Sequence, residues 1–583
     1  MRTQWSLKAL YESYEDPQFQ HCIDNVQATL EKASTWLEQG RTQAPRTALV
    51  ESLEILRSLR SELSRLGAFV NLSLATNTTD EASLKAMQHI QALQTQATPF
   101  QTEMSQFIAG LELEPLLEDE ALAPYRYFLT STKERAQYQL STTEESLLAA
   151  LNPTGSSAWN RLHSELTSVV KVPYDGKEIT LSDVRNLAHD ASQDVRKAAY
   201  EAELKAYPQI DRAVASALNA IKGEVNFLAK RRGYDSPLAQ AVYQSRMQPK
   251  TLDALIAAME ASRPQFHRYL KRKASVLGHA NGLPWYDLFA PMGQSSTTFD
   301  AASATQYVID QFATYSGGLA ALATRAKEEA WIDFYPKSGK RGGAFCANIH
   351  PLKQSRILMN FEGSFSNVIT LAHELGHAYH GDQVFKEDVL NASYTMPVAE
   401  TASTLCETIV KRAAIEDATS DDEKRFLIEQ SLMGSTQIII DILSRFHFEK
   451  AMFATREKGP LSVERINQLM LDAQTYAYGD ALDPEVKHPY MWLNKPHYYS
   501  AGLSFYNFPY AFGLLFAKGI FALYQKHGDA FVPKIDYLLQ KTGQMSVEEV
   551  AASIGIDVQD QAFWAGSLAV IEEEIEQFMA LTR

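Results

Sequence analysis

Cysteine is scarce: three residues, Cys22, Cys346 and Cys406, stand in a chain of 583, scattered and without a C-x-x-C pair. That excludes a dense disulfide framework and suits a reducing compartment. Basic runs are missing as well, and the formal charge is −15. The expected partners are therefore neither nucleic acid nor an anionic membrane surface. Long hydrophobic runs are also lacking. The opening M-R-T-Q-W-S-L-K-A-L-Y-E-S-Y-E-D turns acidic before the apolar core of a signal peptide develops. The most apolar later stretch, residues 512–524, is short and carries Lys518, which does not suit a bilayer span. No repeat of fixed period and no low-complexity linker interrupts the chain. A cytoplasmic protein with a large core is the expectation.

What is present is mostly helical pattern. Residues 19–39, 48–74 and 81–109 read as helices, and Leu49, Leu53, Ile55, Leu56, Leu59, Leu63 and Leu66 form the apolar stripe of one packed against neighbours. V-P-Y-D-G-K-E-I-T-L at 172–181 predicts a turn between short strands, and a boundary is expected there between an N-terminal helical domain, 1–180, and a catalytic body, 181–583. Helical pattern returns over 181–207, 210–230 and 251–277. It breaks at L-P-W-Y-D-L-F-A-P-M-G, 283–293, whose prolines and aromatics predict a packed irregular segment. Residues 336–361 are strongly non-helical. The glycines of K-S-G-K-R-G-G-A-F-C lack the G-x-x-x-x-G-K-[S/T] order of a phosphate loop, so a nucleotide site is rejected. A small sheet edge able to take an extended peptide backbone is the preferred reading, against a plain structural hairpin.

Chemistry concentrates at residues 370–381, T-L-A-H-E-L-G-H-A-Y-H-G. Within it His373, Glu374 and His377 form H-E-x-x-H. On a helix, positions four apart share a face with a rise of about 6 Å, so both imidazoles can reach one ion while Glu374 projects beside it. Val368, Ile369, Leu371, Ala372, Leu375 and Ala378 support a helix, with Ser364 or Ser366 as N-cap and Gly381 as a C-terminal residue. Two histidines need a third ligand. His380 and Gln383 stand where a metzincin carries glycine and histidine, which removes that pattern. In P-V-A-E-T-A-S-T-L-C-E-T-I-V, Glu400 lies 27 positions after His373 among apolar neighbours and is the expected carboxylate ligand. One Zn2+ with an open coordination position follows, with Glu374 placed to take a proton from water. Glu407 shares a face with Glu400 and is expected to orient a histidine; His380 receives no firm role.

Several ordered blocks together resemble the oligoendopeptidase F family, relatives of thimet oligopeptidase. They are L-P-W-Y-D-L-F-A-P from Leu283, G-K-R-G-G-A-F-C from Gly339, the H-E-x-x-H block, P-V-A-E-T-A-S-T from Pro397 and H-Y-Y-S-A-G-L-S-F-Y-N-F-P-Y-A-F-G from His497. The resemblance covers most of the chain from residue 181 onward. It implies a mainly α, two-lobed fold with a deep channel, a small β-sheet beside the zinc helix, and cleavage of short unfolded peptides at internal bonds. By resemblance His373, His377 and Glu400 are the zinc ligands and Glu374 the base. Tyr510 aligns with a tyrosine that hydrogen-bonds the developing oxyanion, His497 with a histidine of the same group, and Tyr506 less closely because its spacing differs by one residue; Tyr499 is a weaker candidate. A dipeptidyl carboxypeptidase-type exopeptidase and a peptide-binding protein without turnover remain open, although binding alone needs no general base. The oligomeric state is not readable.

Overall fold

The computed structural model describes residues 1–293 and 298–583. Helices dominate, and among the described residues strands are confined to two small sheets. β1 (Lys171–Tyr174) and β2 (Lys177–Thr180) form the hairpin expected at the D-G pair. Asp175 at φ 50° and Gly176 at φ 73° supply the two left-handed positions that so short a connection demands. β3 (Ile332–Asp333), β4 (Phe345–Ile349) and β5 (Gln354–Leu358) make the second sheet, in the order β3-β5-β4. β5 runs parallel to β3 and antiparallel to β4, which leaves β4 at an edge.

The chain forms two compact units, each assembled from three stretches. The first comprises Met1–Tyr138, Ser296–Ala413 and Leu523–Gly555; the second comprises Gln139–Ser295, Ala414–Ala522 and Ile556–Arg583. In the first unit the expected N-terminal helices are Pro17–Gln39, Pro45–Thr76 and Glu81–Ala109. Every leucine and isoleucine of the predicted stripe is buried, each worth about 1.5–3 kcal/mol of transfer free energy. This core does not end with the N-terminal helices: Ile349 of β4 and Leu390 belong to it, and Phe345 and Ala347 pack against it. The division at 180 is one along the chain. In space the first 138 residues belong with the β3-β5-β4 sheet and the H-E-x-x-H helix.

The glycine-rich loop before β4 is fastened. The Lys340 side chain is buried, and its ammonium donates to Asp333 Oδ1 at 2.6 Å and to the Tyr335 carbonyl at 2.8 Å. Asn360 Nδ2 donates to the carbonyls of Arg341 and Gly343. The Lys340 ammonium thus ties the loop to the end of β3.

In the second unit, residues 283–293 are packed as expected, with Leu283, Trp285, Ala290 and Met292 buried. Backbone bonds from Leu283 to Ala481 (2.8 Å) and from Trp285 to Val486 (2.9 Å) tie the segment down. Residues 512–524 lie within the core helix Phe508–His527. Among the described residues one stretch, Asp421–Arg456, is long and apolar enough to cross a membrane by length and composition, and 67% of its most apolar window is buried inside the protein.

Candidate metal centre

The H-E-x-x-H segment lies on helix Phe365–Val384. Ser364 caps it, accepting from the Asn367 amide while the Asn367 side chain reaches back to the cap amide. The helix runs past Gly381, which corrects the reading of that glycine as a terminator. Its small size serves packing: a Cβ there would lie 2.4 Å from the Asn348 side chain on β4. Asn348 Nδ2 instead donates to the His377 carbonyl (3.2 Å), and Ser355 Oγ donates to Asn348 Oδ1 (2.7 Å). The sheet is thereby pinned to the turn that carries the second histidine.

Gly376, between the two histidines, does the same on another side. A Cβ would lie 2.6 Å from Ser403 Cα and 2.7 Å from the Ala402 carbonyl oxygen. Backbone therefore meets backbone where this helix crosses Thr401–Asp417. Glu400 sits immediately before that second helix, at the end of the short turn Met396–Ala399, so the close crossing carries its carboxylate to the histidines.

His373 Nε2 and His377 Nε2 are 3.1 Å apart, and Glu400 Oε2 lies 3.4 and 3.5 Å from them. Four ligands held tetrahedrally at about 2.1 Å from zinc are separated by about 3.4 Å. The triangle has that size, and these three residues form a group able to hold one metal ion. The tautomer fits too. His373 Nδ1 donates to Glu407 Oε1 at 2.6 Å, so in the neutral ring Nε2 carries the lone pair, facing the other two donors. Ser403 Oγ donates to Glu400 Oε2 at 2.7 Å and fixes that carboxylate.

Burial sets the charges around the triangle. Burial would depress His373, but Glu407 and Glu400 outweigh it and hold its pKa above the ordinary value. His377 is pushed down to about 4 by burial, with His373 adding to the effect against Glu400, so its ring is neutral at pH 7. Glu407 is half-buried, which alone would raise its pKa, yet Lys411 at 2.5 Å and His373 keep it far below the carboxylate range. Glu374 goes the other way: burial lifts it to about 7, His373 opposes, and Glu400 and Glu407 add to the rise. Only 5% of Glu374 is exposed and its Oε2 has no hydrogen-bond partner. A buried carboxylate oxygen left unpartnered beside a cation-sized triangle of donors fits a metal centre poorly served by protein alone and completed by a hydrated ion.

A family model described as peptidase family M3 matches residues 186–569, and one described as oligopeptidase F matches residues 111–171. The chain belongs to peptidase family M3. Among characterised relatives, this M3 chain is 24% identical over 478 residues to oligopeptidase PepF of Bacillus subtilis, covering 80% of the chain and 70% of the relative. It is 25% identical to group B oligopeptidase PepB of Streptococcus agalactiae, covering 91% of the chain and 90% of the relative. In fold it resembles a crystal structure named as a candidate peptidase from Chlamydophila abortus, with TM-score 0.85 and 21% identity over 99% of the chain and 98% of that structure. It also resembles oligoendopeptidase-F from Enterococcus faecium, with TM-score 0.67 and 19% identity over 97% and 98% of the two chains.

The remaining expected site residues of the M3 chain fall in its second unit. Tyr506, in the turn before helix Phe508–His527, and Tyr510, inside that helix, share a hydrogen bond between their hydroxyls at 2.7 Å. The His497 ring lies 5.7 Å from that of Tyr506, and His497 Nε2 is 3.0 Å from Asn507 Nδ2. Since an amide nitrogen only donates, His497 Nε2 accepts. Burial, with Arg445 and Lys495 nearby, pushes the His497 pKa down to about 3, so the ring is neutral and its Nδ1 carries the proton. Tyr499 is not part of this group. It is fully buried, stacked on His163 at 3.7 Å, and its hydroxyl donates to the Trp492 carbonyl. Nor does His380 reach the metal triangle: it is fully buried, stacked on Tyr394 at 4.1 Å and bonded through Nε2 to Thr542 Oγ1.

Sequence reasoning missed Gly376, Asn348 and Lys411. A glycine inside a strongly helical pattern was the available signal for the first, and a lysine four positions after Glu407 was the signal for the last. Asn348 gave none, because its partner is a backbone carbonyl 29 residues away.

Proposed function

We propose that this chain is a zinc-dependent endopeptidase acting in the cytoplasm on internal bonds of short, unstructured oligopeptides, with no nucleic-acid or membrane partner. The observation that carries the reading is the 3.1–3.5 Å triangle of His373, His377 and Glu400 with the unpartnered Glu374 oxygen beside it. Two imidazoles and one carboxylate form the donor set of catalytic zinc sites, which keep a position open. Bound there, zinc supplies Lewis-acid polarisation and acidifies water.

Glu374 accepts the proton of the attacking water and delivers it to the leaving amine nitrogen. Its buried oxygen without a hydrogen-bond partner leaves the carboxylate free for that transfer. Glu407 holds the His373 ring by its Nδ1–H, and Lys411 keeps Glu407 ionised. Tyr510 donates to the oxyanion that develops on the scissile carbonyl, with Tyr506 holding its hydroxyl and His497 as a further donor through Nδ1. The β4 edge takes the substrate backbone by strand addition.

The test is mass-spectrometric mapping of cuts in peptides of graded length, with free and blocked termini, by zinc-loaded protein and by Glu374→Gln. Internal cuts that survive blocking and vanish in the variant support the proposal. Cuts confined to a free end refute it in favour of an exopeptidase, and binding without cleavage refutes catalysis altogether.

A further inference from the structure

The second unit contains a pocket of about 290 Å3 lined only by its own residues, none of them a member of the metal triangle or of the tyrosine pair. Its size is near the lower end of small-molecule sites. Trp285 and Tyr286 form an aromatic wall, while Arg185, Arg196, Arg445 and Lys495 bring positive charge.

Pairing the charges shows which of them is uncompensated. Arg196 is closed off against Asp287 at 2.8 Å, with both side chains almost wholly buried. Arg445 pairs with Asp441. Glu203 lies 3.3 Å from Arg185 Nε and accepts from the Tyr207 hydroxyl. Lys495 is the one lysine or arginine of the lining whose side chain makes no hydrogen bond or ion pair to any described residue. Burial first, then Arg445, pushes its ammonium down to about 7 against the pull of Asp441 and Glu203, neither of which forms an ion pair with it.

Two further groups are left incomplete at the same place. His488, 1% exposed, meets Glu203 Oε1 at 3.3 Å through Nε2, while its buried Nδ1 has no hydrogen-bond partner. The buried Nε of Arg445 also lacks a partner. Unpartnered buried donors and a surplus cation are costly unless something completes them.

We infer that this pocket binds a small carboxylate carried on an aromatic or aliphatic body, with the charge against Lys495 and Arg445 and the body against Trp285 and Tyr286. Such a group comes either from a free organic acid or from the C-terminus of a peptide. The pocket is linked to the residues discussed above: Arg445 Nη1 donates to Asn507 Oδ1 at 3.3 Å, and Asn507 holds His497 at 3.0 Å. The inference does not depend on the chain being a peptidase.

The probe is N-acetyl-phenylalanine, titrated calorimetrically into the zinc-loaded chain, with N-acetyl-phenylalaninamide as the uncharged control. The acid is expected to bind at least tenfold tighter than the amide. Lys495→Gln removes that difference, Lys495→Arg keeps it, and His373→Ala leaves it unchanged, which separates the pocket from a carboxylate bound at the metal. Acid and amide binding equally, neither binding, or acid binding lost in His373→Ala but kept in Lys495→Gln each overturns the inference. Competition in Glu374→Gln by an acetylated peptide ending in a free phenylalanine, and not by its amide, identifies a peptide C-terminus as the source; absence of competition identifies a free acid.

Discussion

Gly376→Ala adds one methyl group between the two histidines of the metal helix, and the consequence can be worked from two distances. The new Cβ would stand 2.6 Å from Ser403 Cα and 2.7 Å from the Ala402 carbonyl oxygen. Carbon atoms in contact prefer about 3.5–4.0 Å, so the helices must separate by roughly 1 Å. Both obstructing atoms are backbone and cannot rotate away. Glu400 lies on the moving side, three residues before Ser403, whereas metal ligands tolerate displacements of only about 0.2 Å. A zinc affinity lower by at least a hundredfold is expected, measured by competition with a chromophoric chelator. Stability supplies an independent check of opposite sign. Without a clash, glycine to alanine inside a helix stabilises by about 1 kcal/mol; overpacking costs about 1–3 kcal/mol. A Tm that rises, together with zinc affinity within threefold of wild type, would refute the close-crossing argument.

The other predictions concern residues in direct chemical roles. Glu374→Gln is expected to retain zinc by elemental analysis while hydrolysis falls by at least about a hundredfold; turnover close to wild type would remove Glu374 from the reaction. Tyr510→Phe should lower kcat by about 10²–10³ with a smaller rise in KM, and unchanged kcat in steady-state assays would place the donor elsewhere. Glu407→Gln should weaken zinc by about 10–100-fold, because the ring of His373 loses its charged acceptor; equal affinity in a chelator titration would make Glu407 a bystander.

The meeting of His373, His377 and Glu400 was legible because helix geometry converts sequence spacing directly into a shared face, and apolar neighbours around Glu400 marked that segment as buried. The N-terminal helices were legible for the same reason: the stripe from Leu49 to Leu66 repeats at helical spacing, and the observed helix Pro45–Thr76 exceeds the predicted 48–74 by only a few residues at each end. What the sequence hid depends on contacts distant along the chain. Gly381 looked like a terminator because a glycine at the end of an apolar run usually is one, and its actual constraint, Asn348, lies on a strand 33 positions earlier. Tyr499 and Tyr510 are the same residue type in one aromatic block. Only packing separates a tyrosine stacked on His163 from one whose hydroxyl meets another tyrosine. The assembly of the first unit from three separated stretches was out of reach for a similar reason, since no local signal records which distant segment a helix packs against.

Charge counting around the triangle leads to a last prediction about protons. Glu374, Glu400 and Glu407 would carry three negative charges when ionised, and Lys411 is the cation paired among them. The remainder, −2, matches a divalent ion. Without the ion the excess must be relieved by protons, which agrees with Glu374 being lifted to about 7 and with His373 lying above its ordinary value. The sign follows: below pH 7 the metal-free chain holds a proton on Glu374, and a dication expels it, so zinc uptake releases protons. At pH 6 about one proton per ion should come from Glu374, with a further contribution from His373, and the release should shrink toward pH 8, where Glu374 is already ionised. Calorimetry of zinc binding in buffers of different ionisation enthalpy measures this number. In Glu374→Gln the release at pH 6 should fall by about one proton, because the amide cannot titrate. Equal release in the two proteins would mean that Glu374 is ionised without the metal, and the account of its unpartnered oxygen would then fail.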